Sequence, residues 1–294
     1  MPPSGSVTRP LLIVNPYASG VTPTRVEAAA EALGDVEVRW TERPGHATDL
    51  AHEAPGRDVF VFSGDGGFNE ALNGVGEGSR LGLIPGGGAN VLARALGLPR
   101  DPLAAARQLV AAAERRISVG RVNGRRFGFA AGVGFDAEVV RRVDRLGRSE
   151  EAGRAGNLKF AVTVLGLVAE RGGRFDPVVD VTGHGRAAFV LVANCDPFTY
   201  AGPVPLRVAP RARFDLGLDF AAPRRVTASR LPALALRLTS GRGRADLLEG
   251  HDLDRIEVRC DRPLPLQADG EDLGDAETAL FEAERDAVSV LVPR

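Results

Sequence analysis

Two glycine-rich stretches carry the residue types that could do chemistry. Ser63-Gly64-Asp65-Gly66-Gly67 follows the apolar run 59–62 and leads into Phe68-Asn69-Glu70-Ala71-Leu72-Asn73-Gly74. Pro85-Gly86-Gly87-Gly88 follows the apolar run 81–84 and leads into Ala89-Asn90-Val91-Leu92-Ala93-Arg94. Glycine tolerates positive φ and lets a phosphate oxygen come close to the backbone. A helix opening just after such a turn adds unsatisfied N–H groups and positive partial charge. Glycines after strands also make plain tight turns. Two such turns, one with Asp65 embedded, point to an anion cradle with a carboxylate at its mouth. Neither is a P-loop, since no Gly-Lys-Ser/Thr follows. Nor is there a dinucleotide fingerprint, because the first apolar run, 11–14, meets Asn15-Pro16 instead.

The elements that must position these turns alternate in type. Strands are expected at 11–14, 36–40, 58–62 and 81–84, and helices at 25–33, 46–52, 68–75, 89–96 and 101–113. Asp101 is placed to cap the last of these, with Pro102 at its first helical position. Such alternation predicts an α/β domain with a parallel sheet. From about residue 117 the pattern changes. Strands are expected at 117–122, 126–131, 178–181, 187–193, 207–209, 256–259, 264–267 and 288–292, with helices at 136–146, 158–170 and 228–239. The expectation is two domains: 1–120, and a mostly antiparallel, β-rich 121–294 whose C-terminal segment packs back on the first. Residues 141–156, rich in Arg, Glu and Gly, are expected to hold a mobile loop. Residues 158–169 are apolar all round, which reads as a buried helix, or else as the wall of an acyl-chain cleft.

Composition excludes several classes. The 294 residues carry a formal net charge of -1, so the basic footprint of a general nucleic-acid binder is missing. The two cysteines, Cys195 and Cys260, and the four histidines show no metal-ligand spacing. No signal peptide or spanning segment is visible, and a cytoplasmic protein is expected.

Asn15-Pro16 with Ser19-Gly20, then Ser63-Gly64-Asp65-Gly66 with Asn69-Glu70 and Asn73-Gly74, then Ile84-Pro85-Gly86-Gly87 with Asn90 and Ala93-Arg94, resembles the diacylglycerol kinase catalytic family. That family includes bacterial lipid kinases and sphingosine kinases, and is grouped with NAD kinases. The resemblance continues through Gly132-Val133-Gly134-Phe135-Asp136-Ala137, Asp215-Leu216-Gly217-Leu218-Asp219 and Gln267-Ala268-Asp269-Gly270-Glu271. Ser63 looks like the sphingosine-kinase form of the first turn.

The resemblance implies an NAD kinase/diacylglycerol kinase-like fold and ATP-dependent transfer to a lipid hydroxyl in phospholipid metabolism. It implies ATP and Mg²⁺ as cofactors. Asn15, Ser19, Thr41, Gly64, Asp65, Gly66, Gly67, Asn69, Glu70, Pro85, Gly86, Gly87, Gly88 and Asn90 would hold the nucleotide. Asp65 would sit near Mg²⁺, Glu271 would be the general base, and Asp215 would help bind a structural Mg²⁺. Read locally, Asp269-Gly270 is equally a hairpin-turn signal. The lipid implies reversible contact with the inner face of the membrane, and a homodimer is left open. Arg141, Arg142, Arg145 and Arg148 either form a solvated helix face or meet anionic headgroups. The chain departs from the pattern at Gly67 and Gly88, where many members carry threonine. A kinase of a soluble acceptor, in the manner of NAD kinase, and a catalytically weak nucleotide- or lipid-binding homologue are the alternative readings.

Overall fold

The computed structural model describes residues 9–145, 154–201, 204–241 and 246–294. They form two compact units: residues up to Arg116 together with Val288–Arg294, and Ile117–Ala287.

The first unit begins β1 (Leu11–Val14), α1 (Pro23–Leu33), β2 (Glu37–Trp40), α2 (His46–His52), β3 (Asp58–Ser63), α3 (Asp65–Gly74), β4 (Arg80–Pro85), α4 (Val91–Ala95) and α5 (Pro102–Val110). Thr22 and Asp101 cap α1 and α5 through their side chains, and Pro23 and Pro102 open them. β1 and nearly all of β3 and β4 are buried, as parallel strands covered on both faces should be. The strand order is β4-β3-β1-β2, all parallel. Ser289 and Val290 add a parallel edge beside Arg80 and Leu81. The chain steps from β1 outward to β2, then returns past β1 to β3 and β4. That reversal puts a topological switch point between the carboxyl ends of β1 and β3. α1 packs with α5, and α2 with α3.

The chain continues through β5 (Ala113–Val122), β6 (Arg125–Phe127), β7 (Ala130–Val133), α6 (Phe135–Arg145), α7 (Arg154–Glu170), β8 (Val179–Val181), β9 (Gly185–Ala187), β10 (Val190–Ala193), β11 (Thr199–Ala201) and β12 (Val204–Leu206). It ends with β13 (Leu218–Pro223), a 3-10 turn (Ala228–Arg230), α8 (Leu231–Ser240), β14 (Leu247–Leu253), β15 (Arg255–Ala268) and β16 (Glu271–Val292). In the second unit the order β14-β13-β10-β7-β15-β16 is antiparallel throughout. Its core gathers Phe127, Val190, Val192, Phe220, Val258 and Phe281. A parallel α/β unit and an antiparallel, β-rich one are the fold class that the patterning predicts.

Three expectations need correction. Residues 207–209 are not a strand: β12 stops at Leu206, and Val208 and Ala209 are buried in irregular chain just before Pro210, a residue that cannot donate to a ladder. The stretches 256–259 and 264–267 are one strand, β15, bent where its register with β16 shifts. Residues 158–169 are not buried all round. α7 packs on α6 and β11, so Thr163 and Leu167 are covered while Val162 and Leu165 stand 58% and 67% exposed. The loop expected within 141–156 falls largely on residues 146–153, outside the described residues, as does Arg148. Among the described residues, no helix is long and apolar enough to cross a membrane.

Candidate active site

In open α/β sheets, ligands bind beyond the carboxyl ends of the strands at the switch point. In the first unit the ends of β1 and β3 are joined there directly. Asn15 N donates to the Phe62 carbonyl at 3.1 Å, and Asn15 Nδ2 donates to Ser63 Oγ at 3.2 Å. Asn15 Oδ1 accepts from Tyr17 N at 3.0 Å, which turns the chain through Pro16. Thr41 leaves β2 on the same edge, is buried, and donates its N–H to the Val14 carbonyl at 2.8 Å. Asn15, Thr41, the first turn and the second turn therefore share one edge of the sheet. Ser19 lies exposed on the loop after β1.

The two glycine turns touch backbone to backbone. A Cβ on Gly87 would lie 2.7 Å from Gly64 Cα, and one on Gly20 would lie 2.8 Å from the Gly86 carbonyl oxygen. These approaches are why the turns are glycine. Gly86 N donates to the Ser63 carbonyl at 2.7 Å. Gly87 N donates to Asn90 Oδ1 at 2.9 Å, while Asn90 Nδ2 donates to the Gly87 carbonyl at 2.6 Å. Asn90 holds this clamp from a left-handed conformation, φ 48°. The amides of Gly86 and Gly87, expected to face phosphate, are thus engaged within the protein. Their part is to shape the second turn, with Pro85 buried behind them and Gly88 exposed at its tip.

The donors that helix geometry leaves without an intrahelical partner are those of the first turn of α3, at Asp65, Gly66 and Gly67. Gly64 precedes that turn in extended conformation, and its carbonyl accepts from Phe68 N at 3.1 Å. Asp65 Oδ1 accepts from Leu92 N at 3.4 Å, so the N-termini of α3 and α4 meet at this carboxylate. Gly67 explains one departure from the family pattern. A Cβ there would lie 2.1 Å from Ser63 Oγ. The serine hydroxyl stands where a side chain at 67 would go.

Two residues predicted to bind nucleotide make contacts within the fold. Glu70 points at the start of α2, where its oxygens accept from Gly45 N at 2.8 Å and Ala47 N at 3.1 Å. Asn69 is fully buried within α3, its carbonyl accepting from Asn73 Nδ2 at 2.8 Å.

In the second unit, Asp269-Gly270 is the two-residue turn between β15 and β16, with φ 49° and 79°. Both positive angles match the hairpin turn that Asp-Gly favours. The buried Asp269 carboxylate accepts from Gly128, Phe129 and Ala130 N–H at 2.6, 2.9 and 3.1 Å, so the turn is locked as well as tight. Glu271 follows it, and Arg125 Nη2 donates to Glu271 Oε2 at 2.7 Å. Behind the turn, Gly270 N donates to Gln267 Oε1 at 3.0 Å, and Gln267 Nε2 donates to Asp136 Oδ2 at 2.8 Å. Gly132 leaves room for that carboxylate, since a Cβ there would lie 2.3 Å from it. Asp136 is wholly buried and its Oδ1 has no partner among the described residues, so burial pushes its pKa up to about 6. Arg125 was not anticipated. The Asn-Gly turn at 123–124 signals its hairpin, but nothing local ties it to Glu271.

Asp65 and Asp215 are the two carboxylates expected to meet Mg²⁺. Mg²⁺ takes one or two carboxylates and completes its shell with water and phosphate, and Asp65 offers a hard oxygen among amides. The exposed carboxylate of Asp215 is bridged by its neighbour Arg213 at 2.9 and 2.5 Å. Among the described residues, no three His, Cys, Asp or Glu side chains gather as a metal cluster.

Residues 9–122 match the model of the diacylglycerol kinase catalytic domain. The chain is 29% identical over 282 residues to a Pseudomonas fluorescens protein named "Probable lipid kinase YegS-like", covering 91% of this chain and 89% of that one. It is 42% identical over 103 residues to a diacylglycerol kinase of Bacillus subtilis, about a third of each chain. A Streptococcus pneumoniae relative is 30% identical over 166 residues, with only 55% of its length covered. Among solved structures, a diacylglycerol kinase from Bacillus anthracis superposes with a TM-score of 0.65 at 21% identity, covering 97% of this chain and 96% of that one. An NAD kinase from Archaeoglobus fulgidus superposes with a TM-score of 0.54 at 14% identity, covering 97% and 94%. The carboxyl-edge turns at 63–67 and 85–90 lie inside the matched segment, so it is over residues 9–122 that the chain is similar to the diacylglycerol kinase catalytic domain.

Proposed function

We propose that the protein is an ATP-dependent lipid kinase that phosphorylates the hydroxyl of diacylglycerol or a related lipid. The observation that carries this reading is the N-terminus of α3, where Asp65 and three first-turn amides stand at the switch point of a sheet within the segment similar to that catalytic domain. The names of the relatives support a lipid as the acceptor. Phosphoryl transfer asks for positioning and charge neutralisation rather than covalent chemistry. The Asp65–Gly67 amides hold the terminal phosphates, and the Asn90 clamp keeps the second turn in register beside them. Asp65 is the carboxylate that would hold Mg²⁺, which would neutralise phosphate charge when bound with the nucleotide. Glu271 accepts the proton of the acceptor hydroxyl. The acceptor oxygen forms its bond to the γ-phosphorus, the bond to the β,γ-bridging oxygen breaks, and ADP leaves. Asp269 keeps Glu271 at a fixed place on its hairpin, and Arg125 orients its carboxylate. A lipid acceptor brings the protein to a membrane surface reversibly, from the cytoplasmic side.

Incubation with γ-labelled ATP, Mg²⁺, lipids in mixed micelles and NAD tests this. Label partitioning into the organic phase is expected. Label on NAD alone would replace the reading with a soluble-acceptor kinase, and nucleotide binding without transfer to any acceptor would replace it with a non-catalytic homologue.

A further inference from the structure

We propose that an arginine-walled cavity within the second unit binds a phosphate group, carried either by a free phosphate or by a phospholipid headgroup. The cavity holds about 560 Å³ and is lined by Arg141, Arg142, Arg145, Arg171, Arg174 and Arg262. Glu138, Asp176 and Asp275 also line it, and Asp272 and Glu170 pair with two of its arginines, so six guanidiniums face five carboxylates. This proposal does not depend on the kinase reading, because every lining residue lies in the second unit.

Most of these arginines are oriented by carboxylates. Arg141 is held by Asp272 at 2.7 and 2.9 Å and by Asp275 at 2.6 Å. Arg142 is held by Glu170 at 2.7 and 2.8 Å. Pairs of this kind fix the guanidinium forks. Three arginines are incompletely matched. Arg145 has no ion pair among the described residues. Arg171 gives one nitrogen to Glu138 and lies over the Phe175 ring, 5.3 Å from its centroid. Its Nη1 is buried with no acceptor among the described residues. Arg262 has no carboxylate partner among the described residues and also faces the cavity. The floor is apolar, with Phe135 packed edge-on against Phe175 at 4.9 Å. A buried donor without an acceptor calls for one, and planar forks on several sides suit an oxyanion that accepts several bonds at once. Phosphate is acceptor-only when fully ionised and fits that demand.

The test uses the full chain with ¹⁵N-labelled arginine, following the Nε–Hε resonances of Arg171, Arg174 and Arg262. The probes are inorganic phosphate, dihexanoyl phosphatidylglycerol below its micelle concentration, and dihexanoylglycerol, which lacks phosphate. Because the readout is local, phosphate bound elsewhere does not move it. A saturable shift with at least one phosphate-bearing probe is expected. Binding should weaken about tenfold or more in the R174Q/R262Q protein, as expected for lost charge-assisted bonds. Arg186→Gln, from an exposed pair with Asp261, should leave it unchanged. A shift with inorganic phosphate assigns a free-phosphate site, and a shift with the phospholipid alone assigns a headgroup site. No saturable shift with either, an equal response to dihexanoylglycerol, or undiminished binding in R174Q/R262Q would overturn the proposal.

Discussion

The side chain at 63 and the space at 67 are one feature. Ser63 Oγ occupies the place of a Cβ on Gly67, so threonine at 67, common in relatives of this type, does not fit beside serine at 63. Gly67→Thr alone should lower stability by about 1–3 kcal/mol, the usual cost of overpacking. Adding Ser63→Gly should recover at least about 1 kcal/mol of that, a coupling that urea unfolding of the four proteins in a double-mutant cycle measures. Asp136 gives a pH signature. Its pKa rises from 3.8 to about 6 on folding because burial disfavours the charge. Between those values the native state holds a proton that the unfolded chain has lost, so stability falls as pH rises through the window. Relative to Asp136→Asn, the wild type should lose roughly 3 kcal/mol between about pH 3 and pH 7, read from denaturant midpoints at each pH. At this scale the sequence made the two glycine turns legible as close approaches, because glycine's special geometry marks where backbones meet. It could not reveal that Gly86 and Gly87 have their amides engaged, nor that Arg125 reaches Glu271, since both depend on partners set by the tertiary fold.

Secondary-structure elements were legible where periodicity and punctuation agreed. β1, β3 and β4 are continuous apolar runs ended by Asn-Pro or glycine, and α1 and α5 open on a capping residue and proline. The second unit was harder. Only the last part of β16 was anticipated, because residues 271–287 are rich in charge and mostly exposed or half-buried. β13, fully buried, was passed over because Pro223 and the Asp215–Asp219 turn signals surround it. α7 was read as core since a helix apolar on every side usually is, yet only part of its surface meets neighbours. Glu70 belongs to this scale: it joins α3 to the start of α2. Glu70→Ala should cost about 1–2 kcal/mol of stability, in the range of a lost helix cap, while the nucleotide KM stays within twofold. Thermal or urea unfolding alongside kinase assays separates the two roles. A large KM change with unaltered stability would return Glu70 to the nucleotide site.

At the scale of the whole molecule, the order of motifs along the chain was more informative than any single one. The segment 9–122 carries the family match, and the hairpin at Asp269-Gly270-Glu271 lies well beyond it, in the other unit. Each unit carries a chemically distinct feature: glycine turns with Asp65 in the first, and a hairpin carboxylate, Glu271, in the second. If Glu271 is the base, its loss should affect the chemical step and not nucleotide capture. The most direct measurement is the rate of label transfer from ATP to lipid, with the nucleotide Kd, for the wild type and Glu271→Gln. The expected result is a transfer rate reduced about 10²–10⁴-fold, the usual contribution of a general base, with the Kd within twofold of wild type. Transfer by Glu271→Gln at the wild-type rate would contradict the account.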